Sequence, residues 1–143
     1  MFHFLSTIAL SLCLQLALCA VGLASDAVDV NQKTGTIHVY RPQSAAGLGV
    51  YFDVYADSNK VCNLKDGEYC SVKVEPGEIE VWSKFMTKGS LTLDVEAGRE
   101  YFVRATVTKG FLLFWRPHYV EVLDRVGRSE IKACAPATGV LQD

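Results

Sequence analysis

Glu75-Pro76-Gly77-Glu78-Ile79-Glu80-Val81-Trp82-Ser83-Lys84-Phe85 carries both signals that decide the fold. Pro76 and Gly77 fill the two central positions of a type II reverse turn, where Pro presets φ and Gly supplies the left-handed conformation. Beyond the turn, Ile79, Val81 and Phe85 fall on one side of the chain and Glu80, Trp82 and Lys84 on the other. A period of two is the signature of a strand with one buried face.

The same pattern continues in both directions. Val50, Phe52, Val54 and Ala56 alternate with Tyr51, Asp53 and Tyr55, and Tyr101, Val103, Ala105 and Val107 with Phe102, Arg104, Thr106 and Thr108. Leu91, Leu93 and Val95 mark another strand. Thr36 to Arg41 places Ile37 and Val39 together and is ended by Pro42, which has no amide to donate. Turns are expected at Asp57-Ser58-Asn59, Asp66-Gly67 and Glu96-Ala97-Gly98-Arg99, with a last strand over Tyr119 to Leu123. Asp124 is expected to cap a short helix through Ala133, weakened by Gly127. No helical period separates the strands, so βαβ units are excluded. The expected fold is all-β, a small antiparallel β-sandwich of about seven to eight short strands. It spans 34–133, after a linker at 25–33 and before a C-terminal tail at 134–143, frayed from Pro136.

The N-terminus is different in kind. Phe4 to Ala24 holds no charged residue, and Ile8 to Leu18 is an apolar core followed by Ala20, Gly22 and Ala24. That order predicts a secretory signal peptide over 1–24, cleaved after Gly22-Leu23-Ala24 and before Ser25, with Ala20-Val21-Gly22 as a second cleavage option. Asp26 and Asp29, the first charges after it, favour translocation of the C-terminal portion. Two other readings compete: an uncleaved membrane anchor of bilayer-spanning length, or a lipoprotein acylated at Cys19. Leu18 just before Cys19 suits a lipobox poorly. All three place the domain outside the cytosol, in the periplasm or at an envelope membrane in preference to full secretion.

Export bears on the cysteines, because thiols oxidise outside the cytosol. Cys62 and Cys70 flank the Asp66-Gly67 turn. With Lys65-Asp66-Gly67 as a three-residue loop and Gly67 left-handed, Leu64 pairs Glu68 and Cys62 faces Cys70 at disulfide distance. A two-residue loop would put them on a diagonal. The spacing favours a Cys62–Cys70 disulfide, leaving Cys134 free or bonded to another chain.

The order of these segments resembles a bacterial envelope family, the domain of unknown function 2846. The likeness rests on Thr36-Ile37-His38-Val39-Tyr40-Arg41-Pro42, the Asp66 to Tyr69 turn, Val74-Glu75-Pro76-Gly77, Leu91 to Gly98, Tyr101-Phe102-Val103-Arg104 and Arg116-Pro117. It implies an exported, often lipid-anchored β protein and brings no known activity or functional residues. Leu18 and the Cys62/Cys70 pair depart from the family's pattern. A weaker analogy links the turns to small β-sandwich modules of the PEGA type.

Candidate chemistry is sparse. His38 and His118 read as surface histidines without a partner that spacing can supply, and no serine-nucleophile motif is present. Asp94, Glu96 and Glu100 read as a solvated hairpin end without calcium-loop spacing. Tyr40, Tyr51, Tyr55, Trp82 and Phe102 fall opposite the aliphatic rows: either they form an exposed patch or a second layer, such as the C-terminal segment, covers them. The apolar run Phe111-Leu112-Leu113-Phe114-Trp115, ending in Arg116, either packs against the sandwich or touches a membrane or partner. With a net charge of −2 and a pI near 5.9 there is no electrostatic ground for nucleic-acid binding. No metal or cofactor is implied.

The expectation is therefore an exported cell-envelope β-sandwich with a non-catalytic binding or structural role and no enzyme activity. The alternatives are a membrane-docked accessory subunit acting through Phe111 to Trp115, and an envelope hydrolase.

Overall fold

A computed structural model describes residues 33–44, 49–109 and 114–138. The export segment with Cys19, the linker up to residue 32, and Phe111, Leu112 and Leu113 of the apolar run lie outside the described residues.

The alternating segments form strands, in the order β1 (Gly35–Tyr40), β2 (Phe52–Ala56), β3 (Asn59–Leu64), β4 (Glu68–Val74), β5 (Gly77–Phe85), β6 (Thr87–Val95), β7 (Glu100–Lys109) and β8 (Trp115–Val122). A helix α1 (Asp124–Ile131) and a two-residue strand β9 (Ala135–Pro136) complete the chain order. One sheet runs β8-β7-β1-β4-β9 and the other β3-β2-β5-β6. Their inner faces enclose the core: Ile37, Val39, Val103 and Ala105 on the first, Phe52, Val54, Leu64, Val81 and Leu93 on the second. Each of these side chains larger than Ala105 contributes about 1.5–3 kcal/mol through burial. This is the expected sandwich, with two departures from antiparallel pairing. β1 runs parallel to β7, Thr36 beside Glu100 and Tyr40 beside Arg104. β4 runs parallel to β9.

The Asp66-Gly67 turn does not close a hairpin. Gly67 is left-handed as expected, with φ of 76°, but β3 pairs with β2 while β4 pairs with β1. Arg41 is the cause. Its amide donates to the Glu68 carbonyl at 2.9 Å, and its carbonyl accepts from the Gly67 amide at 2.9 Å, drawing β4 onto β1. The Arg41 side chain is 2% exposed. It donates to the Val50 carbonyl at 2.7 Å and lies 3.3 Å from Asp66. Burial pulls its guanidinium below the ordinary value and Asp66 acts against this. The turn is thus an arch between sheets. Cys62 and Cys70 both point into the interior and are disulfide-bonded, their Cα atoms 6.4 Å apart.

Two close approaches shape the rest. Strand β8 packs on β6, where a Cβ on Gly89 would fall 1.9 Å from the Pro117 carbonyl oxygen. Pro117 is tolerated because β8 is an edge strand. In the core, Ser83 and Tyr119 bond hydroxyl to hydroxyl between the sheets, and burial pushes the Tyr119 phenol up.

Beyond α1 the chain returns to the larger sheet at Ala135–Pro136, and residues 139–143 of the expected frayed tail lie outside the described residues. The Ala135 amide donates to Gly67 and the Ala137 amide to Tyr69, and Ala137 is buried. The cap also differs: Leu123 is the N-cap residue, without a side-chain bond, and Asp124 lies in the first turn. There its charge favours the helix dipole. Among the described residues no helix is long and apolar enough to cross a membrane.

Candidate functional site

Helix α1 lies across the outer face of the larger sheet and decides which outward side chains stay open. Glu130 anchors it. The Glu130 carboxylate accepts from Tyr40 Oη at 2.6 Å and from Arg104 at 2.8 and 2.5 Å. Burial works against the charged carboxylate, but the bonds from Arg104 and Tyr40 outweigh it and hold the group below its usual range. Burial and Glu130 together push Tyr40 up to about 12. Gly127 rests on Phe102, which is 2% exposed. The C-terminal segment therefore covers Tyr40 and Phe102, one of the two outcomes expected for the aromatic row. On the opposite sheet Tyr55 and Trp82 stack at 4.4 Å. Lys88 covers Trp82, and its indole N–H donates to the Asp57 carbonyl at 2.7 Å. Those rings spend their faces on each other rather than forming a bare platform.

Beside α1 a groove of about 590 Å³ remains open, lined in part by His38, Ser71, Glu100, Phe102, Arg128 and Lys132. Three strands supply its floor. The register sets His38 of β1 against Ser71 of β4 and Phe102 of β7. His38 is half-buried, not the plain surface histidine expected. Its Nδ1 lies 2.6 Å from Ser71 Oγ, its Nε2 3.5 Å from Glu100, and its ring stacks on Phe102 at 4.8 Å. Glu100 is no solvated hairpin end either: Arg128 of α1 pairs with it. Burial disfavours the Glu100 charge, but Arg128 and then His38 outweigh that and keep it below the usual carboxylate range.

Hydroxyl, imidazole and carboxylate thus lie in one row. The row departs from a hydrolytic relay in two respects. Glu100 is bound more closely by Arg128 than by His38, and Ser71 sits within a regular strand rather than on a strained elbow. Sequence reasoning missed this row because it depends on long-range register. The one available signal was that His38, Ser71 and Glu100 each occupy outward positions. Cys134 is free and half-buried at the groove's rim, its Sγ 3.8 Å from the Arg41 and Glu130 carbonyls. Burial, then Glu130 and Asp66, raise its thiol pKa. Among the described residues no group of three or more His, Cys, Asp or Glu could hold a metal.

At one end of the sandwich the β5–β6 and β7–β8 hairpins meet, the Trp115 amide lying 3.5 Å from Met86 Sδ. Of the apolar run, Phe114 is 53% exposed, Trp115 is half-buried and Arg116 is exposed. Met86 is 61% exposed.

These features define a two-sheet β-sandwich closed on one face by a short helix. The chain belongs to a protein family of unknown function, DUF2846, whose model matches residues 31–121. No curated protein and no solved structure matches the chain.

Proposed function

We propose that the protein is an exported cell-envelope module that acts by binding or scaffolding rather than by catalysis. The observation that carries this is the buried Cys62–Cys70 disulfide, which joins the two sheets. A cystine within the core suits a chain that folds outside the reducing cytosol. The apolar N-terminal segment supports the same compartment. A non-catalytic role is supported by the way the polar groups under α1 satisfy one another, Glu130 with Arg104 and Tyr40, Glu100 with Arg128.

Intact mass of the protein recovered from fractionated cells, after thiol alkylation, tests the reading. The expected result is envelope-associated protein with Cys62 and Cys70 protected and the N-terminus at Ser25, acylated at Cys19, or retained. Cytosolic protein alkylated at both cysteines would refute it.

The Ser71–His38–Glu100 row favours a second reading, an envelope hydrolase. A fluorophosphonate probe should then label Ser71 and fail to label the Ser71→Ala and His38→Ala variants. Absence of labelling in the parent would remove this reading.

A further inference from the structure

We propose that the groove beside α1 binds a small organic monoanion with an apolar body, the chemistry of a medium-chain carboxylic acid. The inference rests on the binding role proposed above and gives it a ligand class. Helix periodicity builds one wall. Gly127 and Glu130 meet the sheet through Phe102, Arg104 and Tyr40, while Arg128, Ile131 and Lys132, spaced at i, i+3 and i+4, share the neighbouring face and line the groove. Strand periodicity builds the floor, where His38 of β1 and Tyr69 and Ser71 of β4 occupy outward positions. A volume of about 590 Å³ suits a small molecule, whose sites run to roughly 300–1,000 Å³.

Charge selects an anion. Of the residues that line the groove, Glu100 alone is acidic, and Arg128 pairs with it. The nearby Glu130 carboxylate is occupied by Arg104 and Tyr40. Lys132 is left exposed and without an ion-pair partner among the described residues. Lys73, two positions beyond Ser71 and therefore on the same face of β4, is exposed and unpaired in the same sense. A protein of net charge −2 thus keeps uncompensated positive charge at this groove. Lys132 is the one such cation in the lining, a compact point charge, which suits a monoanion. Lys73 stands outside the lining and adds attraction during approach.

The wall around Lys132 selects the body. Ile131 precedes it, Cys134 follows two residues later, and Tyr69 lies across from them on β4. All three are half-buried, so each turns part of an apolar surface into the groove. An inorganic anion would leave that surface in water, and a neutral hydrocarbon would leave Lys132 without a partner. An amphipathic anion uses both.

Cys134 at the rim is the reporter. Cys62 and Cys70 are bonded to each other, and alkylation read peptide by peptide in a mass spectrometer separates Cys134 from Cys13 and Cys19 on the full chain. Octanoate is the probe. It should slow alkylation of Cys134 by N-ethylmaleimide in a saturable way. 1-Octanol, which keeps the body and lacks the charge, should need at least about tenfold more for the same shielding. Acetate, which keeps the charge and lacks the body, should need at least about a hundredfold more. Lys132→Glu and Ile131→Asp should each raise the octanoate concentration required at least about tenfold. Each rate is compared with that of the same variant without octanoate, and thermal midpoints report that the variants fold.

An unchanged alkylation rate in millimolar octanoate overturns the proposal. So does shielding that 1-octanol or acetate matches, or that Lys132→Glu leaves intact. In envelope-associated protein with the Cys62–Cys70 bond closed, these results remove the ligand class alone and leave the exported module standing.

Discussion

Gly127 lies directly on the ring of Phe102: a methyl group at Gly127 would fall 2.3 Å from Phe102 Cβ and Cγ. Phe102 is itself 2% exposed beneath the helix. In an open helix Gly→Ala gains about 1 kcal/mol. Here the obstructing atoms are at the root of the Phe102 side chain and cannot rotate aside, so overpacking of about 1–3 kcal/mol should win. Gly127→Ala is expected to lower the urea midpoint. A raised midpoint would mean that α1 does not rest on the ring.

The cystine offers a second test. Cys62 and Cys70 are separated by eight positions, and closing so short a loop stabilises by about 2.5 kcal/mol on the chain-entropy account. Replacing both by Ala should lower the thermal midpoint by roughly 10 °C or more in a domain of this size. Reductant should bring the parent down to a similar level and leave the variant unmoved. A parent indifferent to reductant would show that the bond adds nothing.

The Ser83–Tyr119 bond should show the asymmetry of buried polar pairs. Tyr119→Phe strands the Ser83 hydroxyl in a site with no exposure and is expected to cost about 1–3 kcal/mol. Ser83→Ala combined with Tyr119→Phe removes both partners and should recover much of that loss. A double-mutant cycle in urea measures the coupling. Strict additivity would mean that the two hydroxyls do not interact.

Stability should fall at both ends of the pH scale. The folded-state pKa values of Glu130 and Glu100 are depressed, so their contribution is full above the ordinary carboxylate value and is lost as pH drops through the folded value. Glu130→Gln should flatten part of the acid limb. Tyr40, raised to about 12, acts in the opposite direction: its contribution is present below pH 10 and disappears as pH rises toward 12. Tyr40→Phe should remove that alkaline component, as followed by urea midpoints across pH.

The strands were legible because each records a local fact, a side chain in or out at every second residue. Ile79 and Val81, or Val103 and Ala105, need no partner to declare their face. What stayed hidden depends on pairings between distant segments. Nothing near Asp66 says that Arg41 will draw the following strand into the other sheet. The return of Ala135 and Pro136 to β4 left no periodic trace, since two residues cannot show a period. Among the groove residues, His38, Ser71 and Glu100 lie on strands whose alignment emerges only when the sheet assembles. Gly127 read as a weak point in a helix, and its purpose became visible only with Phe102 beneath it. The apolar character of the run ending in Trp115 was plain, but that Met86 would meet it required the β6–β8 contact.

The parallel run of β1 beside β7 sets a leash. Because Thr36 aligns with Glu100, the chain enters the sandwich nine strand steps, about 30 Å, from the turn after Lys109. The nine residues 25–33, drawn straight, also reach about 30 Å. Were the chain held in a membrane at residue 24, the Lys109 end of β7 could reach that membrane with the domain lying flat and the leash slack, or with the domain standing on that end and the leash nearly taut. Turned the other way, with Thr36 toward the membrane, the domain presents the Lys109 end of β7 to whatever surface lies opposite.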